Sequence, residues 1–248
     1  YGCEGRHVSF GENLNLDQKK LLESISESTK LVIIANPNQP TGTTLDTKTI
    51  EALLSKTAEC EALLVIDEAY IEFADQKSLV ELVEHHSNLC VLRTFSKAWG
   101  LAGVRLGFIA APTNLVHQMR KVKPLLDINI IAIRAASYLI DNYHLVESYT
   151  KDVIYSRNLL IRKLTDNGIE AFSSKTNFIH IRPPVNINLD DIQNMMVIKG
   201  YRIRVVNETR TILDGCLRLT VGPTQQMNHL FLDLLDVFDV TPHDYGSQ

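Results

Sequence analysis

Arg93-Thr94-Phe95-Ser96-Lys97-Ala98-Trp99-Gly100-Leu101-Ala102-Gly103-Val104-Arg105-Leu106-Gly107 sets a hydroxyl-flanked lysine at the end of an apolar strand. A small-residue turn follows, and then an arginine eight positions after the lysine. A lone lysine at a strand end is by default a solvated surface group. Here the surroundings argue for chemistry. A lysine amine in this setting is suited to forming a Schiff base with an aldehyde, and Thr94, Ser96 and Arg105 are the residue types that hold an anion such as a phosphate.

Two more stretches end apolar strands in the same way. Leu63-Leu64-Val65-Ile66 reads as a fully buried parallel strand, with Asp67-Glu68-Ala69-Tyr70-Ile71-Glu72-Phe73 after it. Asp67 thus stands at a carboxyl end, where open α/β sheets keep their ligand-binding groups. Read alone, the Asp is equally a helix cap. Leu31 to Ala35 is the third strand, followed by Asn36-Pro37-Asn38-Gln39-Pro40-Thr41-Gly42, whose prolines, glycine and amides make a rigid loop. That loop is weak evidence by itself and strong beside the other two.

Together the three stretches, with Asp67 thirty residues before Lys97, resemble the motifs of pyridoxal-phosphate (PLP) enzymes of the aspartate-aminotransferase fold. Within that fold the chain is most similar to the histidinol-phosphate aminotransferase family. The resemblance implies an α/β chain of fold type I, with a mostly parallel sheet in a large domain and a smaller α+β C-terminal domain. It implies that Lys97 holds the cofactor and then shuttles the substrate's proton. Asp67 pairs with the pyridine nitrogen, and Tyr70 donates to the ring's phenolic oxygen. Thr94, Ser96 and Arg105 complete the cofactor contacts. Asn38 and Gln39 belong with them, and Gln39 stands where the family carries Asn. Its additional methylene extends the amide by about 1.5 Å.

The resemblance also covers Cys216-Leu217-Arg218-Leu219-Thr220-Val221-Gly222 and Tyr201-Arg202-Ile203-Arg204-Val205. Arg218 is expected to grip the substrate's anionic end, because an arginine among apolar strand residues needs an anion partner. Arg204 matches a second family arginine, associated with a substrate phosphate. Spacing alone does not separate it from Arg202, which shares its strand face. Asn177 matches a family position of structural or binding character.

Composition agrees with an ordinary globular enzyme. The 248 residues are 45% hydrophobic, enough to bury a substantial core, and the net charge of −4 gives no nucleic-acid or membrane surface. His85-His86 lacks metal-ligand spacing, so no metal is expected. Cys3, Cys60, Cys90 and Cys216 are far apart, and reduced thiols of a cytoplasmic protein are expected. No apolar run reaches the ~18 residues of a membrane span.

Along the chain, strand-like runs alternate with helical ones. A short strand is expected at Val8 to Phe10, a polar helix around Asp17 to Ser26 and an amphipathic helix at Thr47 to Glu59. A helix is expected between the Leu63 and Leu89 strands, and Leu106 to Ala111 is a candidate antiparallel strand. The rhythm implies a largely parallel sheet covered on both faces. Beyond Pro124, helices are expected at Ile130 to Leu139 and Val146 to Leu164, with residues 1–142 and 143–248 as the two domains. The second holds strands at Phe178 to Ile181, Arg202 to Val206 and Cys216 to Val221, and helices at Leu189 to Lys199 and Gln225 to Phe238. The chain opens Tyr1-Gly2-Cys3 without an initiator Met, so about a third of the family's length is expected to precede it. That segment would carry the N-terminal arm, the phosphate-binding helix N-terminus, a ring-stacking aromatic and a tyrosine reaching the neighbouring subunit.

The function expected is amino transfer from a phosphorylated amine such as histidinol phosphate to 2-oxoglutarate, by a homodimer. A phospho-amino-acid decarboxylase, an aminotransferase of another pathway, and a non-enzymatic PLP-sensing domain stay open as alternatives.

Overall fold

The computed structural model describes residues 2–11, 14–123, 128–185, 187–207 and 211–241. Pro124, where the helical pattern is expected to begin, lies outside them. The chain divides into two units, Tyr1–Val146 and Glu147–Gln248, so the division falls inside a helix four residues beyond Asn142.

In the first unit α1 (Gln18–Glu23) precedes β1 (Leu31–Ala35), α2 (Thr47–Glu59), β2 (Leu63–Asp67), β3 (Leu89–Thr94) and β4 (Gly107–Ala110). The four strands form one sheet in sequence order. The first three run parallel and β4 returns antiparallel, pairing Thr94 with Gly107. Branched apolar runs produce these strands because their side chains pack well on a pleated surface. α2 starts at Asp46, whose side chain accepts from the Thr49 N–H at 2.7 Å, and it buries Ile50, Leu53 and Leu54. These meet Val32, Ile34, Leu64, Ile66, Leu89 and Val91 in one core.

That face of the sheet is covered by α2, and on the other face Val65 and Cys90 of the central strands are also buried. In β1, Val32 and Ile34 are buried while Leu31 and Ile33 are exposed, as are Phe108 and Ile109 of β4. The expected cover on both faces thus holds at the central strands, while the edge strands leave these side chains open. Two smaller expectations fail. Val8 to Phe10 forms no strand, only an isolated bridge from Phe10 to Leu16. Between β2 and β3 stand two 3-10 turns, Ile71–Phe73 and Leu79–Glu84, where an α-helix was expected. α3 (Thr113–Arg120), which the sequence pattern did not suggest, and α4 (Ile130–Asp141) follow β4.

α5 (Tyr143–Asp166) leads into the second unit. There β5 (Glu170–Ala171), β6 (Phe178–Arg182), α6 (Leu189–Ile198), β7 (Arg204–Val205), β8 (Leu217–Thr220) and α7 (Thr224–Val237) follow. Its sheet is wholly antiparallel, in the order β5-β6-β8-β7. Ile179, Ile181, Leu217 and Leu219 are buried, together with Leu230, Phe231 and Leu234 of α7. Cys60, Cys90 and Cys216 are buried, Cys3 is exposed, and all four are free thiols. Among the described residues no helix is long and apolar enough to cross a membrane.

Gly107 fixes the approach of β4 to β3. A Cβ there would stand 2.8 Å from the Arg93 carbonyl oxygen, a backbone atom with little room to yield. Gly107→Ala is therefore expected to destabilise the protein by about 1–3 kcal/mol, the usual cost of forced overpacking. Urea denaturation measures it, and an unchanged midpoint would contradict the close approach.

Candidate active site

The three motif loops leave the carboxyl ends of neighbouring parallel strands, so register brings them together. Ala35 pairs with Asp67, and Asp67 with Leu92. The ladder runs on past the strands, with the Asn36 N–H donating to the Asp67 carbonyl and the Glu68 N–H to the Leu92 carbonyl, both at 2.9 Å. Around this edge lies an open cavity of about 420 Å³. Gln39, Asp67, Tyr70, Ser96, Lys97 and Arg105 line it, with Thr94 beside them.

The side chains are held both within and across these loops. Asp67 accepts from the Ala69 N–H at 3.0 Å, which fixes its carboxylate, and no described cation pairs with it. The Tyr70 hydroxyl donates to Gln39 Oε1 at 3.0 Å, so the longer amide at position 39 reaches the tyrosine. Lys97 Nζ lies 5.0 Å from the centre of the Tyr70 ring. Arg105 has a left-handed backbone, φ 59°, uncommon for a residue with a side chain, and donates to the Ala102 carbonyl at 3.0 Å. Such conformations persist where the surroundings impose them.

Two of the expected contact residues also bond within their own loops. The Asn38 side-chain oxygen accepts from the Thr41 hydroxyl at 3.0 Å, and Asn38 borders a different hollow, near Phe10 and Leu16. The Thr94 hydroxyl accepts from the Ser96 N–H at 3.1 Å and so shapes the turn that presents Lys97. Asn36, which the motif reading passed over, is buried and braces the first loop. Its oxygen accepts from the Leu45 N–H at 2.8 Å and its nitrogen donates to Gln76.

Behind the cavity a buried charge network ties the second and third loops. Arg93 donates to Glu72 Oε1 at 2.7 Å and to the Ser78 hydroxyl at 3.0 Å, and stands 3.5 Å from Glu68. Trp99, two residues after Lys97, donates its indole N–H to the same Glu72 oxygen at 2.9 Å. Glu68 is fully buried; it accepts from the Leu79 N–H and from the Ser78 hydroxyl, both at 2.6 Å. Burial pushes its carboxyl above the ordinary carboxylate value, against the pull of those bonds and of Arg93. Sequence reading missed this network, although Glu68 and Glu72 flank the Asp67-Tyr70 pair and Arg93 opens the lysine motif.

In the second unit Arg218 of β8 lies directly opposite Arg204 of β7 and His180 of β6. Arg202 precedes β7 and borders a separate hollow with Tyr201 and His229. Pairing thus separates the two arginines that spacing left equivalent. Asn177 gives its carbonyl to the Val221 N–H at 2.8 Å, a structural contact.

Removing Arg93 strands a buried carboxylate, which typically costs about 3–5 kcal/mol. Arg93→Met should lose stability of that order, and Trp99, the single tryptophan, should change its emission as Glu72 is released. A loss below about 1 kcal/mol with unchanged emission would mean that the network is solvated and slack.

Residues 1–234 match the family model described as aminotransferase class I and II. A histidinol-phosphate aminotransferase of Cytophaga hutchinsonii is 32% identical over 93% of this chain and 65% of its own length. That of Halalkalibacterium halodurans is 33% identical over 95% of this chain and 63% of its own. A solved histidinol-phosphate aminotransferase of Sinorhizobium meliloti, in complex with pyridoxal-5'-phosphate, superimposes with a TM-score of 0.77 at 25% identity. The match covers 93% of this chain and 63% of that one. The chain therefore spans less than two thirds of the length of these relatives. On the match across nearly its whole length, it belongs to the class I and II aminotransferase family.

Proposed function

We propose that this chain carries the cofactor-lysine part of a PLP-dependent aminotransferase whose amino donor bears a phosphate, with histidinol phosphate the favoured donor. The observation that supports this best is the convergence of Lys97, Asp67, Tyr70 and Gln39 on one cavity at the carboxyl edge of the first sheet. The acceptor 2-oxoglutarate and a homodimeric assembly belong to the same reading and rest on the family.

The donor set fits the cofactor in kind. Lys97 offers a primary amine to an aldehyde, and Asp67 offers a pyridinium nitrogen a carboxylate that no cation among the described residues pairs with. Tyr70 offers a hydroxyl proton to a phenolate, and Ser96 with Arg105 offers donors to a phosphate. Bound PLP supplies an aldehyde carbon to capture the donor's amine and a ring to take up the electrons of its Cα–H bond.

The chain's residues then have distinct tasks. Lys97 Nζ would be the base that takes the donor's Cα proton. That nitrogen lies 5.0 Å from the centre of the Tyr70 ring and forms no ion pair among the described residues, so no carboxylate holds it away from the donor. Asp67 is held in position at the strand end by the bond its carboxylate accepts from Ala69. Gln39 accepts from Tyr70 and so holds the hydroxyl in place before a ligand arrives. Arg218 and Arg204 are assigned to the donor's anionic end.

A phosphorylated amino donor supplied with 2-oxoglutarate should yield glutamate and no carbon dioxide. Carbon dioxide alone would favour the decarboxylase, and neither product with cofactor bound would favour a sensor. Asp67→Ala should cut turnover at least about 100-fold with cofactor still bound, since such an electrostatic partner is worth several kcal/mol in the transition state. Near-normal turnover would reduce Asp67 to a loop cap. Arg218→Lys should impair the phosphorylated donor more than its dephosphorylated counterpart, because lysine lacks the planar fork.

A further inference from the structure

One face of the second sheet carries a third group beside the two arginines. His180 is paired directly with Arg218, and Arg218 directly with Arg204, across β6, β8 and β7. Residues directly opposed on antiparallel strands point to the same face, so the three side chains form one lateral row. Their strand neighbours Ile179, Ile181, Leu217 and Leu219 turn the other way and are buried.

The row is rich in donors and poor in acceptors. Adjacent guanidiniums repel, and neither Arg204 nor Arg218 forms an ion pair among the described residues. Arg218, half-buried, stands 5.4 Å from the centre of the Phe178 ring. His180 meets the same ring edge-on at 5.6 Å. It is 1% exposed, and its Nε2 has no hydrogen-bond partner. Burial, then the charge of Arg218, pulls its pKa down to about 4, so the ring is neutral at physiological pH and has one N–H to give. An unpartnered buried polar atom is costly, and a leucine or phenylalanine at this strand position would avoid the cost.

We propose that His180 is the third donor of an anion seat shared with Arg218 and Arg204, giving its Nε2–H to a phosphate-monoester group on the amino donor. This rests on the reading of Arg218 as the grip on the donor's anionic end. A carboxylate has two oxygens and is satisfied by one two-pronged guanidinium. A phosphate monoester presents three terminal oxygens and two charges, which match two guanidiniums and one further donor. His180 is thereby a determinant of phosphate over carboxylate at this end of the substrate.

The test uses the cofactor-loaded protein, labelled with nitrogen-15 in its histidines and titrated with inorganic phosphate at constant pH. The ring-nitrogen resonance of His180 should shift saturably with phosphate and much less with acetate, and Arg218→Leu should abolish the shift. His180→Phe should weaken phosphate binding by roughly 10-fold, the scale of a lost hydrogen bond to a charged group, whereas His180→Gln, which keeps a donor, should recover part of it. Phosphate binding that needs Arg218 but leaves the His180 resonance unmoved would overturn the role of His180 and leave that of Arg218 intact. Phosphate binding indifferent to Arg218→Leu would overturn both. Since the titration needs no substitution at position 180, a poorly folding variant does not spoil it.

Discussion

Parallel pairing in the first sheet is the constraint on which the candidate site depends. The three motif loops are far apart in sequence, and each leaves its strand at a point that hydrogen bonding fixes. Ala35, Asp67 and Leu92 lie side by side, and the ladder bonds from Asn36 and Glu68 carry the register one residue past the strands. A one-residue slip would turn every side chain to the opposite face. It would bury Ile33 with Leu31 and push Val32 and Ile34 out of the core, so the hydrophobic pattern that folds the sheet also fixes the positions of Asp67 and Lys97.

Register places the loops, but it does not hold their shape. That falls to polar groups buried behind the cavity. Glu68 and Glu72 on the second loop meet Arg93, and Glu72 also accepts from Trp99 on the third. A buried ion pair is a poor source of net stability, since desolvation offsets most of the attraction. Its benefit here is geometric: with three acceptors at 2.7–3.5 Å, the Arg93 guanidinium has one place to sit. The loop bearing Tyr70 and the loop bearing Lys97 are then joined at Glu72, which Arg93 holds in place. Asn36 does the same for the Gln39 loop without charge.

The strands and the cavity's principal residues were legible in the sequence because branched apolar runs ending in polar, proline-rich or hydroxyl-rich loops leave few alternatives. What eluded it depended on contacts across the fold. The segment between β2 and β3 is apolar enough for a helix, yet Glu68 draws the Leu79 N–H and the Ser78 hydroxyl toward itself and two 3-10 turns result. Asn38 and Thr94 also shape their loops through bonds to Thr41 and Ser96, contacts that residue type alone does not reveal. Arg202 and Arg204 differ only in where pairing begins. His180 gave no signal in its apolar run, since its significance lies in the cross-strand neighbour Arg218.

The central claim is that the cavity at this sheet edge is where the cofactor is covalently held, by Lys97. Borohydride reduction of the cofactor-loaded protein fixes that linkage, and peptide mapping locates it. The label is predicted on the peptide that contains Lys97 and should be absent from a Lys97→Ala variant. A label on another lysine, such as Lys121 or Lys123, would contradict the account.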